Sequence, residues 1–231
     1  MDQLVLDFLR PPAPTLDNFV PGGNQEALAA LRSLVASGAH ATARAVYLWG
    51  PPGCGRSHLL QAVASARPVS TACLLGPQSA PEAFAASDGS TFWLLDNVDQ
   101  LDAPRQEAAF HLFNAVLAQS DTAFVACGDR PPAALSVMPE LASRLAWGLV
   151  FELRPLSDTE TAQALSESLA ARGVTASADL VPWLMTHAPR HLGRLRALID
   201  ALDVYALSRK RALTLPLLRE FVRQAGAPNL P

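Results

Sequence analysis

Gly50-Pro51-Pro52-Gly53-Cys54-Gly55-Arg56-Ser57 constrains this chain more than any other stretch, because of what flanks it. The apolar run Ala45-Val46-Tyr47-Leu48-Trp49 before it predicts a strand, and Ser57-His58-Leu59-Leu60-Gln61-Ala62-Val63 after it predicts a helix. A strand that turns through glycines into a helix aims loop N–H groups and the helix N-terminus at one point, which is a polyphosphate cradle. The spacing is that of a phosphate-binding P-loop, G-x-x-x-x-G-K-[ST], with Arg56 in place of the lysine. Arg56 keeps the positive charge but replaces a compact ammonium with a wide planar fork. Ser57 places a hydroxyl where the Mg²⁺ of a bound nucleotide sits, and His58 follows it at the helix start. The expectation is a nucleotide, ADP or ATP with Mg²⁺, and slow hydrolysis.

Around this loop the chain alternates strands and helices. Val69–Leu74, Thr91–Asp96, Ala123–Cys127 and Gly148–Leu153 read as further strands, and Ala103–Ala118 as a long amphipathic helix. Asn24 is a candidate N-cap for a helix through Leu34, with Gly38 near its end. Continuous apolar strands separated by helices predict an α/β fold, a parallel sheet covered by helices on both faces. From Ser157 the strand signal stops. Ser157-Asp158-Thr159-Glu160 reads as a capping box opening a helix to Ala171, with Gly173 beyond it. Helical segments at about Ala178–His187, Arg190–Leu207 and Leu215–Gln224 follow. The predicted organisation is an N-terminal peptide and proline-rich linker (1–14), a nucleotide-binding α/β domain (15–155) and a small all-helical lid domain (156–231).

Half of the residues are apolar and 17% are charged, enough to build a core and too few charges for a disordered chain. A net charge of −3 argues against a free-standing DNA binder. Cys54, Cys73 and Cys127 are far apart and odd in number, and the five histidines show no ligand spacing, so neither a disulfide framework nor a metal cluster is expected. Met1 leads into a charged, proline-rich segment, and no apolar run reaches membrane length; a cytoplasmic protein without a membrane partner is expected.

Phe92-Trp93-Leu94-Leu95-Asp96-Asn97 carries the second nucleotide motif, an apolar strand ending in an acid at the edge where open α/β sheets bind ligands. Asp96 is the candidate to hold Mg²⁺, directly or through water. At the next position, where an active ATPase of this sort carries a second carboxylate, stands Asn97. Its amide can orient a water but cannot take its proton. Asp99 is close by, with no role assigned.

The order of P-loop, Asp96-Asn97, Gly128-Asp129-Arg130-Pro131-Pro132, Ser143-Arg144-Leu145-Ala146-Trp147-Gly148 and a helical lid resembles the AAA+ ATPases. More closely it resembles the AAA+ module of the replication initiator DnaA, as does the opening Leu16-Asp17-Asn18-Phe19-Val20. Gly-Arg-Ser in the P-loop, Asp-Asn in the second motif, an N-terminal Gln-Leu peptide and no DNA-binding domain after the lid resemble the regulatory-inactivator branch of DnaA relatives. The resemblance implies that Phe19 and Val20 lie near the adenine, that Asp129 falls at sensor I, and that Arg190 falls at the lid arginine called sensor II. It also places Arg144 at the arginine finger, which acts in trans on a neighbouring subunit. Without the family, Arg144 reads as a surface ion-pair residue.

Gln3-Leu4-Val5-Leu6-Asp7-Phe8 resembles the peptide that docks bacterial proteins on the β sliding clamp of DNA polymerase III: Gln3 for a pocket rim, and Leu4, Leu6 and Phe8 as apolar anchors. Read by pattern alone it is an edge strand or tail. Taken whole, the resemblance implies a negative regulator of replication initiation. It would bind ADP, have weak or absent ATPase activity of its own, and be tethered to the DNA-loaded clamp and replisome. It would stimulate hydrolysis of ATP on DnaA, and the finger face leaves a homodimer open as a further partner. DNA would be met through the clamp. The alternatives are a helicase-loader-like ATPase acting on its own nucleotide, a DNA-binding initiator lacking its last domain, and a clamp-binding nucleotide sensor with another target.

Overall fold

The P-loop strand is β1, Ala45–Trp49, and four of its five residues are buried. In the computed structural model, which describes residues 13–37, 43–68, 71–85, 89, 91–171, 176–188 and 192–225, β1 lies inside a five-stranded sheet. The other strands are β2 (Ala72–Leu75), β3 (Phe92–Leu95), β4 (Ala123–Gly128) and β5 (Leu149–Glu152), in the order β2-β3-β4-β1-β5. Every pairing is parallel. Of the five predicted strands, β1 matches residue for residue. β2 starts later and runs one residue further than expected, with 69 and 70 outside the described residues.

Alternation along the strands sends side chains to two cores. Val46, Leu48, Phe92, Leu94, Val125 and Cys127 face the helices α1 (Gln25–Ser37) and α2 (Arg56–Ser65). Tyr47, Trp93, Leu95, Phe124 and Ala126 face α3 (Ala103–Ala118) and α4 (Pro139–Leu145). Burial on both faces explains why the strands read as unbroken apolar runs. Asp102 caps α3 by accepting from the Arg105 N–H at 3.1 Å, and Arg44, just before β1, donates to the Leu117 and Gln119 carbonyls at its far end.

α1 begins where expected and continues to Ser37 instead of stopping at Leu34. Asn24 stands at its cap position with another task. Its side-chain amide donates to the Arg154 carbonyl and accepts from the Arg154 N–H, both at 2.8 Å, 130 residues away. The chain leaving β5 is thereby fixed to the start of α1.

The chain divides into two compact units, one of Pro14–Pro155 and a second that takes in everything from Leu156. The second unit is all helical: α5 (Asp158–Ala171), α6 (Leu180–His187), α7 (Leu192–Ser208) and α8 (Leu215–Ala225). Its capping box forms as predicted: the Ser157 N–H donates to Glu160 Oε2 at 2.8 Å, and the Glu160 N–H donates to Ser157 Oγ at 3.2 Å. Leu165, Leu180, Leu184, Leu202, Leu217 and Leu218 fill its centre with no exposure. Tyr205 Oη and Arg211 both donate to Glu220, holding α7 and the turn after it against α8 and drawing the Glu220 carboxyl below its usual range. Among the described residues no helix is long and apolar enough to cross a membrane.

Candidate nucleotide-binding site

β4 lies between β1 and β3, so the C-terminal ends of three adjacent strands bring three sequence motifs together. The P-loop leaves β1 after Trp49, Asp96 and Asn97 leave β3 after Leu95, and Asp129 leaves β4 after Gly128. Gly55 caps α2 in the left-handed region (φ 100°), and a side chain there would run into the ring of Phe19. Phe19 thus lies on the last glycine of the loop, with its ring centroid 5.6 Å from that of His58. His58 Nε2 donates to the Thr15 carbonyl, tying the segment that carries Phe19 and Val20 to the first turn of α2. At Gly50 a Cβ would strike the Leu153 carbonyl. Pro51, Pro52 and Gly53 are exposed, whereas Cys54 is buried, which pushes its thiol up.

Arg56 supplies the test of fit. Its Nη1 is buried and has no hydrogen-bond partner, an arrangement that costs free energy unless something anionic arrives. A phosphate group is a complement to a guanidinium at the head of a glycine-rich turn. Ser57, the second residue of α2, and Asp96 are the groups of this chain that fit the magnesium of such a ligand. Asn97 adopts the left-handed conformation at φ 50°, which asparagine tolerates better than most residues.

Three residues that sequence reasoning did not assign complete the strand ends. Cys127 is fully buried and donates its S–H to Asp96 Oδ1 at 2.8 Å. Burial first, and the Asp96 carboxylate second, push the thiol well above its ordinary value, so it remains a donor. Asp99 accepts from the Asp129 N–H at 3.0 Å, and Tyr47 Oη donates to the Arg130 carbonyl at 2.9 Å. The loop bearing Asp129 is therefore held by β1 and by the turn after β3. Desolvation, with smaller contributions from nearby acids, raises the Tyr47 phenol and keeps it protonated. The Asp129 carboxylate lies 3.5 Å from Arg130 Nε.

Arg144 stands apart from this cluster. It is in the last turn of α4, whose chain continues through Trp147 and Gly148 into β5. Gly148 touches the backbone of Ala45, the first residue of β1, so tightly that a Cβ would collide with the Ala45 carbonyl. The P-loop leaves the other end of that strand. Arg144 accordingly sits toward the N-terminal edge of the sheet, and the phosphate cradle at the C-terminal edge. Its Nε donates to Asn114 Oδ1, the fourth residue that the sequence left unassigned, at 2.7 Å; its guanidinium carbon is 5.7 Å from the Phe110 ring centroid. Among the described residues it has no ion-pair partner. Trp147 is 66% exposed beside it, and Leu149 and Val150 are also exposed on edge strand β5. Arg190 and the peptide residues Gln3, Leu4, Leu6 and Phe8 lie outside the described residues.

A parallel β2-β3-β4-β1-β5 sheet with a P-loop after β1, an acid after β3 and an all-helical second unit defines an AAA+ P-loop protein with a helical lid. Residues 158–222 match the family described as "Hda, lid domain", and residues 12–71 match "Bacterial DnaA ATPAse domain"; together these span more than half of the chain. The chain carries a DnaA-type ATPase segment and an Hda-type lid. Among solved structures it is similar to domain III of the replication initiation protein DnaA from Thermotoga maritima, at TM-score 0.72 and 23% identity over 94% of this chain and 98% of that one. It is also similar to AMPPCP-bound DnaA from Aquifex aeolicus (TM-score 0.65, 22% identity, 86% of this chain, 68% of that one). A Thermotoga maritima RuvB variant matches at TM-score 0.64 and 18% identity over 94% of this chain and 72% of that one. At such identities the structural likenesses speak for the fold.

Proposed function

We propose that this chain is a negative regulator of replication initiation which, with ADP bound in its own P-loop, supplies Arg144 to ATP held on DnaA. The observation that carries this reading is the placement of Arg144 in the last turn of α4, just before Gly148 meets the first residue of β1, at the edge of the sheet remote from its own P-loop. A guanidinium there cannot serve the chain's own phosphates and is free to serve a neighbour's. Such a group neutralises charge growing on the transferring phosphoryl, an effect of roughly 10³–10⁵ in rate in comparable systems. The Hda lid match and the DnaA-type base domain support DnaA as the neighbour.

In this reading the chain's own site holds a nucleotide without turning it over. Loop N–H groups and Arg56 bind the phosphates, while Ser57 and Asp96 hold the magnesium, which supplies charge neutralisation. Asn97 offers an amide where proton acceptance is needed, so water there is oriented and not activated. Asp129, fixed by Asp99, and Arg190 of the lid would read whether a γ-phosphate is present. Gln3, Leu4, Leu6 and Phe8 would tether the protein to the β sliding clamp, confining its action to DNA that has been replicated. ADP preference follows from Arg56 and Asn97; calorimetry giving equal or tighter ATP binding would count against it.

The test separates whose nucleotide reacts. Radiolabelled ATP is loaded on DnaA, unlabelled ADP on this chain, and clamp-loaded DNA is added. Conversion of the label to ADP supports the proposal. Turnover of ATP by this chain alone, at rates matching those of the mixture, would favour the helicase-loader-like alternative.

A further inference from the structure

Asp96 is half-buried at the end of β3, and its two oxygens are differently placed. Oδ1 accepts the Cys127 S–H at 2.8 Å, whereas Oδ2 has no hydrogen-bond partner among the described residues. Cys127 has no exposure and lies on the face of β4 that packs under α2, among Leu48, Leu60 and Cys54. Parallel pairing puts Cys127 opposite Leu48, two residues before the P-loop begins at Gly50. The thiol therefore stands between the phosphate loop and the acid, with its proton directed at the acid.

We propose that Cys127 is a positioning residue for magnesium: by holding Oδ1 it fixes the Asp96 carboxylate so that Oδ2 faces the shell of the nucleotide-bound ion. An aspartate at a strand end has two free torsions, and a carboxylate that must orient a hydrated ion gains from having one oxygen pinned before the ion arrives. The supporting donor is buried, which strengthens its bond to a charged acceptor. This inference rests on the nucleotide-binding reading of the P-loop.

The experiment is calorimetric ADP binding in excess Mg²⁺ and again in EDTA, for wild type, Cys127→Ser and Cys127→Val. Serine keeps a donor in a smaller side chain, while valine fills the space and offers none. The expected result is equal ADP affinity for all three in EDTA, which also serves as the folding control. In Mg²⁺, wild type and Cys127→Ser should tighten together, and Cys127→Val should lose about tenfold of that gain, the scale of one hydrogen bond to a charged group. Cys127→Ala reads the same split if the branched side chain disturbs the core. In an Asp96→Asn background the Cys127 substitutions should have no further effect. A magnesium-linked gain in Cys127→Val and Cys127→Ala equal to wild type would overturn the proposal, as would an equal loss in Cys127→Ser. Failure of wild type to bind ADP in either buffer would instead overturn the nucleotide reading beneath it.

Discussion

Arg144 Nε donates to Asn114 Oδ1 at 2.7 Å, so the arginine is attached to α3 of its own chain by one nitrogen of its guanidinium. Phe110 lies one helical turn before Asn114 and meets the guanidinium with its ring. An arginine with two or more free rotamers loses side-chain entropy on delivery to a partner, and anchoring at Nε removes much of that loss in advance while leaving Nη1 and Nη2 to project. Asn114→Ala should lower the maximal stimulation of DnaA-bound ATP hydrolysis by about fivefold, the equivalent of roughly 1 kcal/mol for a partly exposed hydrogen bond. Own-nucleotide affinity should be unchanged. Asn114→Asp should also lower stimulation, by pairing the finger too firmly to leave α3. Single-turnover assays with DnaA·ATP read both variants.

Gly55→Ala places a Cβ at φ 100° and against the Phe19 ring. Backbone strain of about 1–2 kcal/mol and displacement of Phe19 should together weaken ADP binding by at least tenfold. Titration calorimetry checks this. Unchanged affinity would mean that the loop does not need its left-handed turn to hold phosphate.

Asn24→Ala removes both hydrogen bonds that this buried side chain makes to the Arg154 backbone and leaves that N–H and carbonyl without those partners. Loss of about 2–3 kcal/mol of unfolding free energy is expected in urea melts, more than for a simple cap, where Ala costs ~1 kcal/mol. Asn24→Asp should recover part of the loss, because it accepts from the N–H but cannot donate to the carbonyl.

The Ser157 N–H and hydroxyl hold the Glu160 carboxyl below its ordinary value of 4.5. Because the folded form is the stronger acid, the stabilisation is present above that ordinary value and fades as pH falls through the lowered one. Acid unfolding should therefore be less steep for Glu160→Gln than for wild type below about pH 4.5, with the two curves parallel near neutrality. Circular dichroism at 222 nm across the acid range measures the difference.

Local chemistry made much of this molecule legible. β1 and α3 could be bounded to the residue because an unbroken apolar run and a capped 3.6-residue period are signals within a few neighbouring positions. The Ser157–Glu160 box was legible for the same reason. Asn24 stands at the cap position the sequence marked, but its side-chain bonds to Arg154 were not legible, because that partner is 130 residues away and an asparagine before a helix carries the same local signal whatever its side chain binds. Cys127, Asp99 and Tyr47 act across strands, at separations of 31, 30 and 83 residues, so their roles exist only once the sheet order is known. One signal at Asn114 was available: a polar residue at helical spacing from Phe110, on a helix otherwise apolar there.

In this scheme Arg144 acts on ATP bound to another protein. Hydrolysis of DnaA-bound ATP should be followed with clamp-loaded DNA and ADP present, comparing wild type, Arg144→Ala and the double variant Gln3→Ala/Leu4→Ala. Strong stimulation by wild type is expected, with a loss of roughly 10³-fold in the accelerated rate for Arg144→Ala. The peptide variant should lose the clamp dependence and most of the stimulation. Arg144→Ala stimulating as well as wild type would mean that Arg144 is not the group that acts on DnaA-bound ATP.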